Sequence, residues 1–264
     1  MRIFRGVAHV HSTYSFDGTL ALQDLAAVLK GRDVHFVLMS EHVESLTPEK
    51  IDCFLIDCKR YSDDSFLLIP GIEIDALNAL FFDVQSVRAW EDYQDLARQL
   101  AQGGALVAVS HPVKVKGSVP AVTAALVEGV EIWNSRHDGK IAADGRIIAF
   151  WRSLQEHLNR SLAPLCGIDF HNRHDFIPLT LEVECETLDR ASIMTGIRAG
   201  HYHIKLAEKT LPLDFKTGHL PFDYRVYSKL YRLLYSAVYA SHRAFVRLNI
   251  RPPKMLKSVL RRIF

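Results

Sequence analysis

Apolar residues recur with two different periods along this chain, and segments of the two kinds alternate. Phe4–His11 reads as a strand, and Thr19–Lys30 as a helix with Leu22, Leu25, Ala26 and Leu29 at helical spacing. Phe36–Ser40 is a short apolar strand. Thr47–Tyr61 is helical, with Thr47 as N-cap and Pro48 in the first position. Phe66–Ile74 is a strand interrupted by Pro70-Gly71, Leu80–Val84 is another, and Trp90–Gln102 is a helix ending at Gly103-Gly104. Ala105–Ser110, Val130–Trp133 and Leu165–Ile168 read as buried strands, and Leu179–Cys185 as a more openly alternating one. Leu188–Ala199 is a helix closed by Gly200. Strands alternating with helices predict βα units around a parallel sheet. Short strands that are apolar throughout need cover on both faces, which predicts a closed barrel.

The pattern changes near Gly218–Asp223. In Tyr224–Phe245, Tyr227, Leu230, Tyr231, Leu234, Tyr235 and Val238 recur at spacings of three and four, predicting an amphipathic helix. Arg251-Pro252-Pro253 breaks it, and Lys254–Phe264 is a short basic-apolar segment. The expected organisation is therefore a barrel over residues 1–218 and a basic helical tail over 219–264. Charge sharpens the division. The whole chain carries 32 Lys/Arg and 30 Asp/Glu, but from Arg225 to Phe264 there are ten Lys/Arg and no acidic residue. That leaves 22 basic against 30 acidic residues in 1–224. Three readings of the tail stand: a helix docked on the acidic body, an interfacial helix on an anionic membrane, or a nucleic-acid contact.

At 264 residues and 48% hydrophobic, the chain has the material for one large core. Cys53, Cys58, Cys166 and Cys185 form no Cys-x-x-Cys pair and read as reduced thiols, so the expected location is cytoplasmic, peripheral to the membrane if the tail binds it. No stretch reaches transmembrane length, and the first residues run straight into the candidate site, leaving no room for a signal peptide.

The chemistry gathers where the expected strands end. His9 and His11 close the first strand one residue apart, a spacing that puts both imidazoles on one face. Glu41-His42, Glu73 and His111 end three further strands, Glu131 and Asn134 lie on the next, and Asp169-Phe170-His171 end a later one. Active sites of βα barrels lie at that face. Neutral imidazole with carboxylate oxygen suits borderline divalent metals, and two ions about 4 Å apart can activate a shared hydroxide toward phosphorus. Asp17, before Gly18, is a further carboxylate or a plain turn residue. His201-Tyr202-His203 repeats the His pair without neighbouring carboxylates and reads as packing or surface.

The run His9-Val-His11, Asp17-Gly18, Ser40-Glu41-His42, Gly71-Ile-Glu73, His111-Pro112 and Gly167-Ile-Asp169-Phe-His171 resembles the motif order of the PHP (polymerase and histidinol phosphatase) family, from about residue 4 to about 205. The resemblance implies an α/β fold, a distorted (β/α)7 barrel resembling a TIM barrel, here with a basic C-terminal helical extension. It implies a metal-dependent phosphoric ester hydrolase using a metal-activated hydroxide, with two or three zinc, manganese or iron ions. By the same resemblance His9, His11 and Asp169 share one ion with bridging Glu73, Glu73 and His111 hold a second, and Asp17, His42 and His171 suit a third. Glu73, Asp169 and His171 are the expected catalytic groups.

Lys114, Asn134, Arg136 and Arg173 are the expected substrate-binding residues. Lys114 and Lys116 would meet a phosphate as point charges, with an exposed loop face as the alternative. Asn134, Arg136 and His137 face the pocket or a solvated loop, and Arg173 and His174 fit phosphate contact. Two departures from the family pattern stand out. Glu41 replaces the usual Asp before the second-strand His, as an orienting residue or a salt-bridge partner. No His occurs from Val43 to Ser110, with Asn78 or Ala79 where one is expected; His137 is a substitute donor. A phosphorylated small molecule, a monoester foremost, is the expected substrate, with a phosphodiester or nucleic acid as the alternative. A degenerate barrel that binds metal or phosphate without turnover is the non-enzymatic reading. No protein partner is identifiable.

Overall fold

The computed structural model describes residues 1–114 and 117–247. Lys116 and the expected segment Lys254–Phe264 lie outside the described residues. In chain order the elements are β1 (Arg2–Val10), α1 (Leu22–Lys30), β2 (Phe36–Met39), β3 (Glu41–His42), α2 (Pro48–Arg60), β4 (Leu67–Ile69), β5 (Gly71–Ile74), β6 (Ala79–Phe82) and α3 (Tyr93–Gln102). There follow β7 (Leu106–Val109), α4 (Ala121–Leu126), β8 (Gly129–Asn134), α5 (Gly145–Leu158), β9 (Ala163–Gly167), β10 (Leu179–Cys185), α6 (Arg190–Arg198), β11 (Tyr202–Leu206), β12 (Lys209–Thr210) and α7 (Phe222–Arg247).

Four of the described helices start where a side chain caps them. Thr47 Oγ1 accepts from Lys50 N ahead of α2, with Pro48 in the first turn. Asp92, Asp144 and Asp189 do the same for α3, α5 and α6. The cap at Asp92 starts α3 at Tyr93, three residues later than the pattern from Trp90 predicts. Helix α5, which buries Ile147, Ile148, Trp151 and Leu154, is not among the expected elements.

The strands form a mixed α/β architecture of two six-stranded sheets, in the orders β12-β11-β10-β1-β2-β4 and β3-β5-β6-β7-β8-β9. The ladders do not close into the single ring expected of a barrel, and pairing is not parallel throughout. Strand β6 runs antiparallel to β5 and β7, because Asn78 turns the chain back in a left-handed conformation (φ 49°). Strands β1, β10, β11 and β12 are likewise antiparallel neighbours. The break between sheets has a local cause. Ser40 separates β2 from β3 and Pro70 separates β4 from β5, and a proline cannot donate to a ladder. Across the far side, Ile168 N donates to Ala8 O (2.9 Å), Phe170 N to His9 O (3.0 Å) and His11 N to Phe170 O (2.8 Å). These bonds bring the strand end carrying Asp169 and His171 alongside the one carrying His9 and His11.

One apolar cluster runs from Phe4 and Val7 through Phe36, Leu80, Ile132 and Trp151 to Ile197. A second, with Ile51, Ile72, Phe81, Leu96 and Val107, lies under α2 and α3. Helix α7 docks beside α5. Tyr224 Oη accepts from Ala143 N (3.2 Å), Ser228 Oγ donates to Ala143 O (2.6 Å), and Arg232 pairs with Asp144 (3.4 Å). No described helix is long and apolar enough to cross a membrane.

Candidate metal centre

The site is built where strands lose their regular geometry. The β1–β2 register slips between Ala8 and Val10, so His9 is a bulge residue with φ 62°. Asp169 (φ 49°) and His111 (φ 23°) also have left-handed backbones, which side-chain-bearing residues rarely adopt. Strict alternation therefore does not hold at His9, yet its ring still lies 5.2 Å from that of His11. Two glycines permit the packing. A Cβ on Gly167 would stand 2.0 Å from Glu131 Oε1 and 2.7 Å from His9 Cβ, and one on Gly18 would stand 1.9 Å from Ser12 O.

Glu73 is the centre. Its Oε2 lies 3.1 Å from His9 Nε2, 3.5 Å from His11 Nε2 and 3.6 Å from His42 Nδ1, while its Oε1 lies 2.9 Å from His111 Nε2. Asp169 Oδ1 is 3.8 Å from both His9 Nε2 and His11 Nε2. On the outer side Asp17 meets His171 Nε2 (2.9 Å) and His42 Nε2 (3.7 Å). The structure thus brings together all eight residues expected as metal ligands. Three groups could each hold an ion: His9, His11 and Glu73; His11, Asp17, His42 and His171; and His42, Glu73 and Asp75.

Residues behind these donors fix them. Glu131 Oε1 accepts from His9 Nδ1 (2.8 Å), and its Oε2 accepts from His111 N (2.8 Å) and Asn134 Nδ2 (3.0 Å). Glu41 accepts from Ser12 N and from the hydroxyls of Ser12 and Ser15 (both 2.6 Å). Ser15 Oγ, its proton given to Glu41, accepts from His42 N (2.8 Å) and from His11 Nδ1 (3.2 Å). His11 Nε2 is then left bare. Glu41 thus acts through Ser15 and makes no salt bridge to a lysine or arginine among the described residues.

The electrostatics follow from burial. Burial disfavours charge on His9, but Glu131, Glu73 and Asp169 outweigh it and hold its pKa well above the ordinary value. Burial and the neighbouring His9 hold His11 well below it, as a neutral imidazole with a free lone pair. Burial would raise Glu73 and Asp169, yet the charge on His9 keeps both carboxyls well below the usual range. Buried His11 Nε2, His42 Nδ1, Asp17 Oδ1 and His111 Nδ1 have no hydrogen-bond partner. Orphaned buried donors and acceptors carry a large desolvation cost. Bare imidazole nitrogens and carboxylates facing one another are the donor set of a divalent metal site, so these residues fit the ions the motifs imply.

The expected substrate residues are placed unequally. Asn134 is fully buried with Nδ2 on Glu131 and Asp169 (3.4 Å) and Oδ1 accepting from Arg136 N and His137 N, which leaves no amide atom facing a substrate. This corrects the expectation for Asn134, whose position orients carboxylates. Arg136 is exposed with its guanidinium against His171 Nδ1. Lys114 pairs with Asp75 (3.4 Å) at the rim, and Arg173 and His174 are exposed in the loop after His171. His137 joins the cluster, 3.2 Å from Asp169 Oδ2 and edge-on to His111. Asn78 instead donates to Ser118 O, and Ala79 is buried in β6. His203 is exposed on β11, as read from the sequence.

Three residues escape the motif reading. Asp75 lies 3.7 Å from His42 Nδ1, and its signal is the period-two spacing from Glu73. Glu131 is a lone carboxylate in the apolar run Val-Glu-Ile-Trp. Phe16, 69% exposed, stacks on His42 at 4.8 Å and has no sequence signal.

No protein-family model matches the sequence, and no curated protein matches it. Solved structures match the fold. A two-domain protein from Bacteroides vulgatus containing a predicted PHP-like metal-dependent phosphoesterase aligns with TM-score 0.58 and 16% identity, over 79% of this chain and 66% of that one. The lesion-specific endonuclease EndoQ from Pyrococcus furiosus aligns with TM-score 0.53 and 16% identity, over 81% of this chain and 60% of that one. PsfC from Pseudomonas syringae aligns with TM-score 0.51 and 13% identity, over 88% and 99%. This chain spans just under two thirds of the first of these. The likeness is one of fold, and the matching structures include a PHP-like protein, the class the motifs resemble.

Proposed function

We propose that this protein is a metal-dependent phosphoesterase, with a phosphate monoester as the favoured substrate. The observation that carries the reading is the buried cluster of imidazoles and carboxylates around Glu73, in which His11 Nε2, His42 Nδ1 and Asp17 Oδ1 have no hydrogen-bond partner. Zinc, manganese or iron suits such donors, and ions held there would supply an activated water and neutralise phosphate charge. In this reading Glu73 would serve two ions, one of them completed by His9, His11 and Asp169. Asp17, His42 and His171 would hold another, with Asp75 beside His42, and His111 with His137 would hold the remaining one. Glu73 and Asp169 would orient the nucleophile, and His171 would act as a ligand rather than as a proton donor, since its Nδ1 faces Asp169 O (2.9 Å). Arg136, against His171, and Lys114, against Asp75, suit a dianionic phosphate, and Arg173 lies on the loop that follows His171. The bonds between Ala8–His11 and Ile168–Phe170 support reading the two sheets as one distorted (β/α)7 barrel, with 1–218 as the hydrolase unit and 219–264 as its extension. Four free cysteines suit a cytoplasmic location.

Likeness in fold to EndoQ favours a second reading, cleavage of a nucleic-acid phosphodiester. Hydrolysis of p-nitrophenyl phosphate and bis-p-nitrophenyl phosphate by metal-reconstituted protein separates the two, with His9→Ala as control. Metal-dependent release from the monoester, lost in the control, is expected. Preference for the diester would reverse the assignment. Bound metal with no turnover of either would leave a barrel that only binds.

A further inference from the structure

Helix α7 is buried on one side only. Tyr224, Ser228 and Tyr231 face the body, whereas Phe222, Val226, Leu230, Leu233 and Leu234 share the opposite side. These five are 74%, 40%, 61%, 56% and 53% exposed. Single exposed apolar residues are ordinary, but a row of five along one helix is a patch that requires a partner. Along one flank, between the two faces, stand Arg225 and Lys229, with Arg232 beside them paired to Asp144. The sequence from Arg225 to Phe264 contains ten basic residues and no acidic one. A cleft of about 800 Å³ opens at the start of the helix, lined by Trp133, Ile141, Leu211, Pro212, Tyr224 and Tyr227.

We propose that α7 docks this protein on an anionic lipid bilayer. The apolar row enters the boundary between headgroups and acyl chains, and the basic flank lies against lipid phosphates and carboxylates. A nucleic acid would satisfy the cations and could stack on Phe222, over which Arg225 lies, or on Tyr227, but it offers nothing to the aliphatic row of Val226, Leu230, Leu233 and Leu234. A second copy of the chain would bring two basic flanks together. The docking leaves the metal cluster untouched, so it stands whether or not the phosphoesterase reading does.

Flotation of the full-length protein with vesicles tests this. Binding is expected to phosphatidylcholine vesicles doped with phosphatidylserine and to be much weaker to phosphatidylcholine alone. Leu230→Asp with Leu233→Asp should weaken binding at least tenfold. Arg225→Ala with Lys229→Ala should weaken it about fivefold per residue. All four side chains are on the outer faces, so circular dichroism, the thermal midpoint and aryl phosphate hydrolysis should not change. Absent binding to doped vesicles, or full binding by the Leu230→Asp/Leu233→Asp protein, would overturn the proposal. So would equal binding to undoped vesicles, a shift of labelled DNA or RNA without vesicle binding, or dimerisation lost with the leucines.

Discussion

Glu131 does for His9 what no residue of the motifs does. A carboxylate can only accept, so its 2.8 Å contact fixes the proton of His9 on Nδ1 and turns Nε2 toward Glu73. The same carboxylate holds the His111 backbone. Glu131→Gln, close in size, breaks that charge-assisted pairing and should lower metal affinity about tenfold to a hundredfold. Competition with a chromophoric chelator measures it, and wild-type affinity in the variant would show that Glu131 does not tune the donors. The eight motif residues are legible because ligands must be of particular types at strand ends, and the structure brings them within reach of one another. Glu131, Ser15 and Asp75 are less so. A supporting residue needs only to reach an atom of its neighbour, which leaves no fixed spacing in the sequence.

At the scale of elements, Asp144 joins two helices. It caps α5, pairs with Arg146, and receives Arg232 of α7. Burial would raise its pKa, but the hydrogen bonds and charge of Arg146, with Arg232 beyond, hold it below the ordinary value. A carboxyl depressed in the folded state stabilises fully above its unfolded pKa, and that stabilisation is lost as pH falls through the folded pKa. The docking of α7 should therefore be steady at neutral pH and weaken only in acid. Thermal melts followed down the acid limb should fall less steeply in Asp144→Asn than in the parent, and identical slopes would remove Asp144 from that role. Elements with clean periodicity, such as α1 and α2, are readable in the sequence. Helix α5 is less so, although Ile147, Ile148, Trp151 and Leu154 follow helical spacing, because Asp144-Gly145 has the form of a turn. The antiparallel β6 is not readable, since its direction rests on one left-handed Asn78 rather than on any pattern of apolar residues.

Across the whole molecule the centre ties β1, β3, β5, β7 and β9 through the side chains at or just past their ends. Ions bound there and not in the unfolded chain should raise stability by mass action, about 2.7 kcal/mol at a hundredfold excess over Kd. For a chain of this size that is a rise of roughly 5–10 °C in Tm. Scanning calorimetry with zinc or manganese added, then stripped with chelator, reads it without any substrate. A midpoint indifferent to both would argue against a fitted metal site. The overall α/β class is legible from strand–helix alternation, while the division into two sheets is not, because it turns on Ser40 and Pro70 within strands of uniform apolar character.

The pairing of β1 with β10 has a consequence for the chain as it is made. Arg5 and Glu182, which bond across these strands, are 177 residues apart. At ordinary translation rates the ribosome takes roughly 10–35 s to pass from one to the other. For that interval the His9–His11 strand has emerged without its antiparallel neighbour, and without Glu131 or Asp169 for most of it. In the proposed metal centre the nascent histidines would meet metal only as a loose pair, so selective loading would wait until synthesis has passed the last proposed ligand.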